Sequence, residues 1–414
     1  MAFPNWTGAR KSRIKIDHTK VTAGSDGYYI LTLDQTDILT YASEALDLDG
    51  TYGALQGGGD IRFSVNEDGT SQLALHVIDC TLNNNPNLST CEFNVCLPFF
   101  PSASVDNYIY MEYHQVGETQ PAEGDTCGKH AVYSPLSCVL TLSMKESVSD
   151  SSPQLIDGTG YSNDFTKEGN PTNTTGLIGG AWDMSPNPAS AKRGSAPASL
   201  IFSSGEAIDY LHCVKTPSSL QRYGTCYGIG RHGTTEQDTN GHFRNGSGTG
   251  ASDLEFYFWN VTAGNWAAYQ WTNKVTTSTW YRWTVGFIYG TASSIKSWLN
   301  ETNITGSWYF GDGNGAPATI GITDAKLNTN RFSERLAGLF DTLYIFKNAG
   351  GPGVNLSDGY HQTWQSMIGN RSGGFAIAEA PSDFVPPSED DAICNLIGGD
   401  FGVFDCKNIE IGIH

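Results

Sequence analysis

Glu255 lies in Asp253-Leu-Glu-Phe-Tyr-Phe-Trp259, the one acid in a strongly strand-like, aromatic run. A carboxylate placed there suits half of the pair that cleaves glycosides, which needs a second carboxylate about 5–10 Å away. No Glu-x-Asp-x-x-Glu run supplies that partner along one strand. The nine histidines never make a His-Glu-x-x-His spacing, and no Gly-x-Ser-x-Gly elbow has strand and helix flanks. Gly228-Ile-Gly-Arg-His-Gly233 matches the dinucleotide fingerprint literally. That motif works only where a helix N-terminus follows, and here a Gly-rich polar loop follows, so it reads as a turn. The chain is therefore read as non-enzymatic. Aromatic chemistry is the richer signal, with ten tryptophans. Trp266, Trp271 and Trp308 stand among Asn, Thr and Gly and are the candidate ligand-binding rings, because aromatic faces stack on sugar C–H surfaces. Trp283 and Phe287 alternate toward a core instead.

The elements that must hold these rings are strands. From Trp280 to Phe346 large apolar residues alternate with small or polar ones, and Gly and Asn fill the gaps. This predicts an antiparallel meander. Trp280, Trp283, Val285, Tyr289, Trp298, Asn300, Ile320, Gly321, Phe332, Gly338, Phe340, Asp341, Leu343 and Tyr344 follow the recurring pattern of the concanavalin-like, laminin-G-like jelly rolls, and this region resembles that family. Asp157-Gly-Thr-Gly-Tyr-Ser-Asn-Asp164, Gly169-Asn-Pro-Thr and Gly176-Leu-Ile-Gly-Gly-Ala-Trp182 resemble its opening motif, and Gly205-Glu-Ala-Ile-Asp-Tyr-Leu resembles its next strand. The resemblance implies a metal-binding rim at Asp157, Asp164, Asp209 and Asp341, with calcium as the cofactor, since calcium takes hard oxygen ligands from separate loops. Turn capping by Asx side chains accounts equally for Asp157 and Asp164.

Upstream, Arg13-Ile-Lys-Ile-Asp, Tyr28-Tyr-Ile-Leu-Thr-Leu, Asp60-Ile-Arg-Phe-Ser-Val, Glu92-Phe-Asn-Val-Cys-Leu and Tyr108-Ile-Tyr-Met-Glu-Tyr read as strands, with one helical turn at Thr36–Ser43. Trp6, Arg13, Gly59–Phe63, Asp68–Thr70, His76, Val95, Pro98, Ile109, Tyr110 and Tyr113 resemble the domain of unknown function 2341, a β-sandwich often found before laminin-G-like domains. His114-Gln115 replaces the usual Gly-Asn, so the turn there must differ. The expected fold is all-β: a sandwich over 1–147, a concanavalin-like jelly roll over 148–372, and an acidic, Pro-rich linker with a docking arm over 373–414. Arg231–Asp253 is a long polar loop, the kind that is generally functional or disordered.

A net charge of −19 argues against nucleic acid as a partner, and no window is long and apolar enough to span a membrane. The start shows no signal-peptide run, although the composition suits an extracellular protein. Nine cysteines show no zinc spacing; Cys213–Cys226 and Cys394–Cys406 are two short loops that a disulfide could close, with reduced buried thiols the alternative. These features together suggest a bacteriophage virion protein (decoration, fibre or tail-associated) that assembles in the host cytoplasm. It would pack as a homo-oligomer with other virion proteins and touch a host-surface glycan. The alternatives are a secreted or cell-surface microbial adhesin and a carbohydrate-active enzyme.

Overall fold

The structure is a computed structural model and describes residues 9–383, apart from 49, 187–188, 195–196, 221–222, 231–236, 238, 246–251, 330–334 and 371–373. Trp6, Phe332, residues 231–233, much of the segment Arg231–Asp253, Cys394, Cys406 and the arm from 384 onward lie outside the described residues. Gly228–Gly230, expected in a turn, end the strand Gly224–Gly230, and Thr239–Asn245, expected in a loop, is the strand paired with it.

Side-chain alternation dictates the architecture. Along the strand Leu339–Lys347, Leu343 and Ile345 pack into one apolar cluster, while Tyr344 and Phe346 pack into another. Along Ala207–Lys215, Ile208 and Tyr210 join the first cluster, and Leu211 and Cys213 join the second. These two strands pair in the middle of an eight-stranded antiparallel sheet, with Trp280–Ile288 beyond one and Gly180–Asp183 beyond the other. This central sheet is therefore buried on both faces.

One face packs on a second eight-stranded sheet, the distal sheet, built from Ser307–Phe310, Asn265–Trp271, Leu254–Asn260, Thr239–Asn245, Gly224–Gly230, Asp324–Leu327, Ser190–Arg193 and Thr166–Glu168. Between them Tyr210 stacks on Phe243 at 3.9 Å, and Trp271 meets Trp283 edge-on at 5.9 Å. The protein is thus all-β with a sandwich at its centre, as the alternation predicts.

The other face is covered by the N-terminal unit, a three-stranded sheet (Tyr29–Asp34, Thr90–Leu97, Ala74–Thr81) and a five-stranded sheet containing Arg10–Ile16, Asn107–Tyr113 and Arg62–Ser64. Gln35–Ala42 forms helix α1, opened by an Asp34–Asp37 capping box. A second helix, α2 (Asp358–Gly369), starts where Ser357 Oγ accepts from Tyr360 N at 3.1 Å. Its Tyr360, Trp364 and Met367 are buried at helical spacing, and Trp364 and Tyr360 lie against Tyr344 and Phe346 of the central sheet. Among the described residues no helix is long and apolar enough to cross a membrane.

Two boundaries differ from the expectation. Cys138–Leu142, placed before the boundary at 147, pairs with Leu339–Lys347 and belongs to the central sheet. Ala376–Ala378 and Ser382–Asp383, expected in the arm, pair with Arg10–Ile16 and complete the N-terminal five-stranded sheet of their own chain. The chain thus returns to its start, because an edge strand left open there would expose unpaired backbone groups.

Ile345→Ala and Phe346→Ala remove neighbouring side chains that face opposite cores. Each should cost about 2–5 kcal/mol in denaturant unfolding. Both should move one shared transition, and two transitions with only one displaced by each substitution would refute a single cooperative body.

Candidate functional site

The outer face of the distal sheet carries the residues that the inner face leaves over. In Leu254–Asn260 the residues Leu254, Phe256 and Phe258 enter the core, so Asp253, Glu255, Tyr257 and Trp259 project outward. Register then sets the neighbours: Arg244 and Gln270 lie opposite Glu255, His242 opposite Tyr257, and Trp266 opposite Trp259. Arg244 donates through Nε to Glu255 Oε1 at 3.0 Å and makes a second contact through Nη2. Its guanidinium lies 4.1 Å over the Tyr257 ring and 4.6 Å over that of Tyr223. Burial opposes the Arg244 charge, but Tyr257 and Glu255 outweigh it and push its pKa up. Tyr309 Oη donates to Glu255 Oε2 at 2.8 Å, and Gln270 Nε2 donates to Asp253 Oδ2 at 2.6 Å.

Two local devices make this arrangement fit. Gly228 has no Cβ, and one built there would lie 2.4 Å from the His242 ring that hydrogen-bonds Tyr257. A register shift at Ala268/Tyr269 then leaves Tyr309 unpaired between Trp308 and Phe310, so it reaches the outer face. Tyr309 and Phe310 are exposed, and Trp259 and Trp266 are half-buried with their rings edge-to-face at 5.6 Å. The result is an aromatic platform at the border of a buried, fully paired ionic floor.

Of the three predicted rings, Trp266 alone belongs to this platform. Trp271 is buried in the core at 1% exposure, a correction to the expectation, because it shares strand parity with Ala267 and Tyr269 rather than with the polar residues beside it. Trp308 is partly buried against Phe258 and Phe287, with its indole N–H on Ala292 O at 3.2 Å. Trp259, Tyr309 and Phe310 were not predicted, though parity with Glu255 marks Trp259 as outward.

The four predicted metal carboxylates do not converge. Asp157 is buried and accepts from Thr141 N, Thr159 N, Thr159 Oγ1 and Asn163 N, and its own N–H donates to Asp164. Asp209 accepts from Leu356 N, Asn355 and His361 Nε2, the last at 3.0 Å, beneath α2. Asp341 accepts from Leu177 N, Ile178 N and, at 3.0 Å, Lys145 Nζ. The same ammonium lies 3.3 Å from Glu92 Oε2 and donates to Gly180 O at 2.7 Å. Calcium needs six to eight oxygens free to turn toward it. The oxygens of Asp157, Asp209 and Asp341 are filled by N–H and O–H donors, a lysine and a histidine, and Oδ1 of Asp164 by the Asp157 N–H, so the set does not fit the ion. The one set of three metal-ligating groups within mutual reach among the described residues is Asp17, His18 and Asp106, away from all four.

Lys145 and Glu92 also border a cleft of about 820 Å³ between the N-terminal unit and the sandwich, with His76, Lys129 and Glu146 in its walls. Burial holds His76 neutral and lowers its pKa to about 3, while its Nδ1 pairs with Tyr133 Oη at 2.6 Å. Burial likewise raises the Glu146 carboxyl.

No family model matches the chain and no curated relative matches it, so the resemblance to the domain of unknown function 2341 rests on the residues quoted above. Solved structures similar to it include the binding domain of botulinum neurotoxin serotype G, at 11% identity over 55% of this chain and 50% of that one, with a TM-score of 0.40. The binding domain of Paraclostridial Mosquitocidal Protein 1 is 10% identical over 56% of this chain and 52% of its own, with a TM-score of 0.40. Domain 4 of AbnA, a GH43 extracellular arabinanase from Geobacillus stearothermophilus in complex with arabinotriose, is 16% identical over 56% of this chain and 98% of its own, with a TM-score of 0.34. The chain spans about half the length of the two binding domains. Likeness this loose leaves function to the side chains of the site.

Lys145→Ala strands two carboxylates at the junction and should cost about 3–5 kcal/mol in denaturant unfolding. A loss below about 1 kcal/mol would show that water already screens them. Calcium and chelator should give the same melting temperature, and a rise of several degrees with calcium would overturn the assignment of these carboxylates to internal partners. Acid supplies a further test. His76 and His212 have folded pKa values of about 3 against 6.5 unfolded, so their contribution is present above pH 6.5 and lost as pH falls toward 3. Asp157 and Asp209 are raised by burial, so they oppose that loss only at its acidic end. Replacing both histidines with Asn should flatten the stability profile between pH 6.5 and 4; an unchanged slope would refute their neutral burial.

Proposed function

We propose that the protein is a non-enzymatic glycan-recognition protein whose ligand stacks on the Trp259–Trp266 platform. The half-exposed edge-to-face tryptophan pair beside Tyr309 carries this reading. Rings held at fixed angles lose little entropy when a sugar face settles on them. The pair is linked to the ionic floor through Tyr257, which meets Trp266 edge-on at 5.0 Å and carries the Arg244 guanidinium on its ring. The ties of Glu255 argue against glycoside cleavage. Both its oxygens are engaged by Arg244 and Tyr309 and the side chain is buried, so the carboxylate is not presented to a sugar as acid, base or nucleophile.

A place in a virus particle, built as a homo-oligomer with other virion proteins inside the host cytoplasm, is the setting we favour over a secreted adhesin. The supporting observation is that the seven described cysteines are buried thiols, which suits folding in a reducing compartment. Copurification with intact particles would support this setting. Recovery from the culture medium of uninfected cells would oppose it.

A screen of purified protein against host surface polysaccharides should give saturable binding without release of reducing sugar. Trp259→Ala and Trp266→Ala should each weaken it about tenfold, since a stacked ring is worth about 0.5–1.5 kcal/mol beyond its buried area. Binding that survives both substitutions would move the ligand elsewhere, and sugar release abolished by Glu255→Gln would reinstate an enzyme.

A further inference from the structure

Cys80 and Cys91 stand directly opposite each other on the antiparallel strands Ala74–Thr81 and Thr90–Leu97. Opposed residues in such a pair point to the same face with Cα atoms about 4.5–5.5 Å apart. A disulfide needs about 4.4–6.8 Å. Both side chains are thiols, both are buried, and both belong to the N-terminal core. Among the described residues no other cysteine has a cysteine as its cross-strand partner. Of the two alternatives for Cys213 and Cys226, a disulfide or reduced buried thiols, the arrangement favours the thiols, because Cys213 faces the N-terminal core and Cys226 the sandwich core.

We propose that Cys80 and Cys91 are a latent cross-strand disulfide, closed by a small-molecule disulfide when the protein meets oxidising surroundings. Access comes through the end of the hairpin. Thr81 and Thr90 beyond the pair are exposed. The connecting segment 82–89 is tied to residues 46–56 by Leu82 N to Gln56 Oε1 at 2.8 Å, Leu48 N to Asn83 O at 3.2 Å and Ser89 Oγ to Leu46 O at 2.6 Å, so opening this end means breaking these few hydrogen bonds. Cys91 also borders the cleft between the two units. Closed and desolvated, both thiols are hard to ionise, Cys80 with its pKa pushed up to about 12, which keeps the pair reduced until the end frays.

The chemistry balances as two exchanges. One cysteine thiolate attacks oxidised glutathione, forming a mixed disulfide and releasing one glutathione thiolate. The second cysteine thiolate attacks the protein sulfur of that mixed disulfide and expels the other glutathione. Two thiols lose two electrons and two protons, and one glutathione disulfide becomes two thiols. The closed bond ties the hairpin across its base and restricts the unfolded chain. This inference is independent of the glycan reading.

The test is incubation of the full chain with oxidised glutathione, in buffer and after refolding from denaturant in the same redox couple, followed by alkylation and peptide mass mapping. The expected result is a mass loss of two hydrogens, one peptide pair linked through Cys80 and Cys91, the other described cysteines still alkylated, and a melting temperature raised by several degrees. Cys80→Ser should stop the reaction at a glutathione adduct on Cys91, and Cys91→Ser at one on Cys80. Linkage of either residue to a different cysteine, or stable glutathione adducts on both in the unsubstituted chain, would overturn the proposal. So would two free thiols after oxidative refolding.

Discussion

Burial of the central sheet on both faces is the constraint from which the rest follows. A strand such as Leu339–Lys347 has no solvent side, so each position must be apolar or find a partner of its own. The apolar positions divide between two cores, and each fully buried side chain contributes roughly 1.5–3 kcal/mol. The polar positions divide in the same way. Asp209 takes His361 from α2, Asp341 takes Lys145, and His212 takes Tyr210. Gly286, opposite Asp209, keeps the surface under α2 low enough for this, since a Cβ there would lie 3.1 Å from Asp209 Oδ1 and 3.4 Å from His361 Nε2. Acids that look like ligands from sequence are thus answers to a desolvation problem.

The distal sheet meets the opposite condition. Its inner face is committed to the sandwich core, and among the described residues its outer face carries charge and aromatic rings. Arg244, Glu255 and Tyr257 are buried there even so, and they are satisfied by one another across the strands. Ion pairs of this kind add little net stability over an apolar core, so their value lies in geometry. They fix the rings at the border, Trp259, Trp266 and Tyr309, to a rigid floor. Preorganisation of this sort lowers the entropy lost on binding and needs no movement of the backbone.

Much of the fold was legible in the sequence because period-2 alternation is a local signal. The strands Trp280–Ile288, Lys296–Leu299 and Leu339–Lys347 and five N-terminal strands are legible this way, but their order as a meander is not. Ala207–Lys215 lies between Trp280–Ile288 and Leu339–Lys347, Ser307–Phe310 and Asp324–Leu327 join the distal sheet, and residues 318–322 form no strand. Helix α2 is not among the expected elements, although Tyr360, Trp364, Met367 and Ile368 recur at helical spacing behind the Ser357 cap, because it follows the last jelly-roll strand and has no counterpart in that pattern of strands. Trp271 was misplaced for a related reason. Its neighbour Gln270 is polar, yet on a strand it projects to the opposite face, and parity with Ala267 sends Trp271 inward. The candidate site was only half legible. Trp259 and Glu255 share parity on one strand, but Arg244, Trp266 and Tyr309 reach them through pairing that only the folded sheets reveal. The strand Ala74–Thr81 was hidden too, because its bulge at Val77/Asp79 breaks the alternation.

At the junction of the two units a lysine ammonium occupies the space between two carboxylates and a carbonyl. Glu92 comes from the N-terminal sheet and Asp341 from the sandwich, and both approach the Lys145 ammonium with the Gly180 carbonyl. Burial opposes the Lys145 charge, yet Asp341 and Glu92 outweigh it and raise its pKa, so it stays protonated. A calcium ion in such a place would make the junction depend on the ion's concentration. A tethered ammonium removes that dependence, and it also fills the space in which an ion would have to lose its water. The orientation of the N-terminal unit against the central sheet is then set by the chain alone. With Tyr344 and Phe346 packed under α2 on the same face, charge and apolar burial at that face favour one arrangement, and the distal platform is presented from a rigid base.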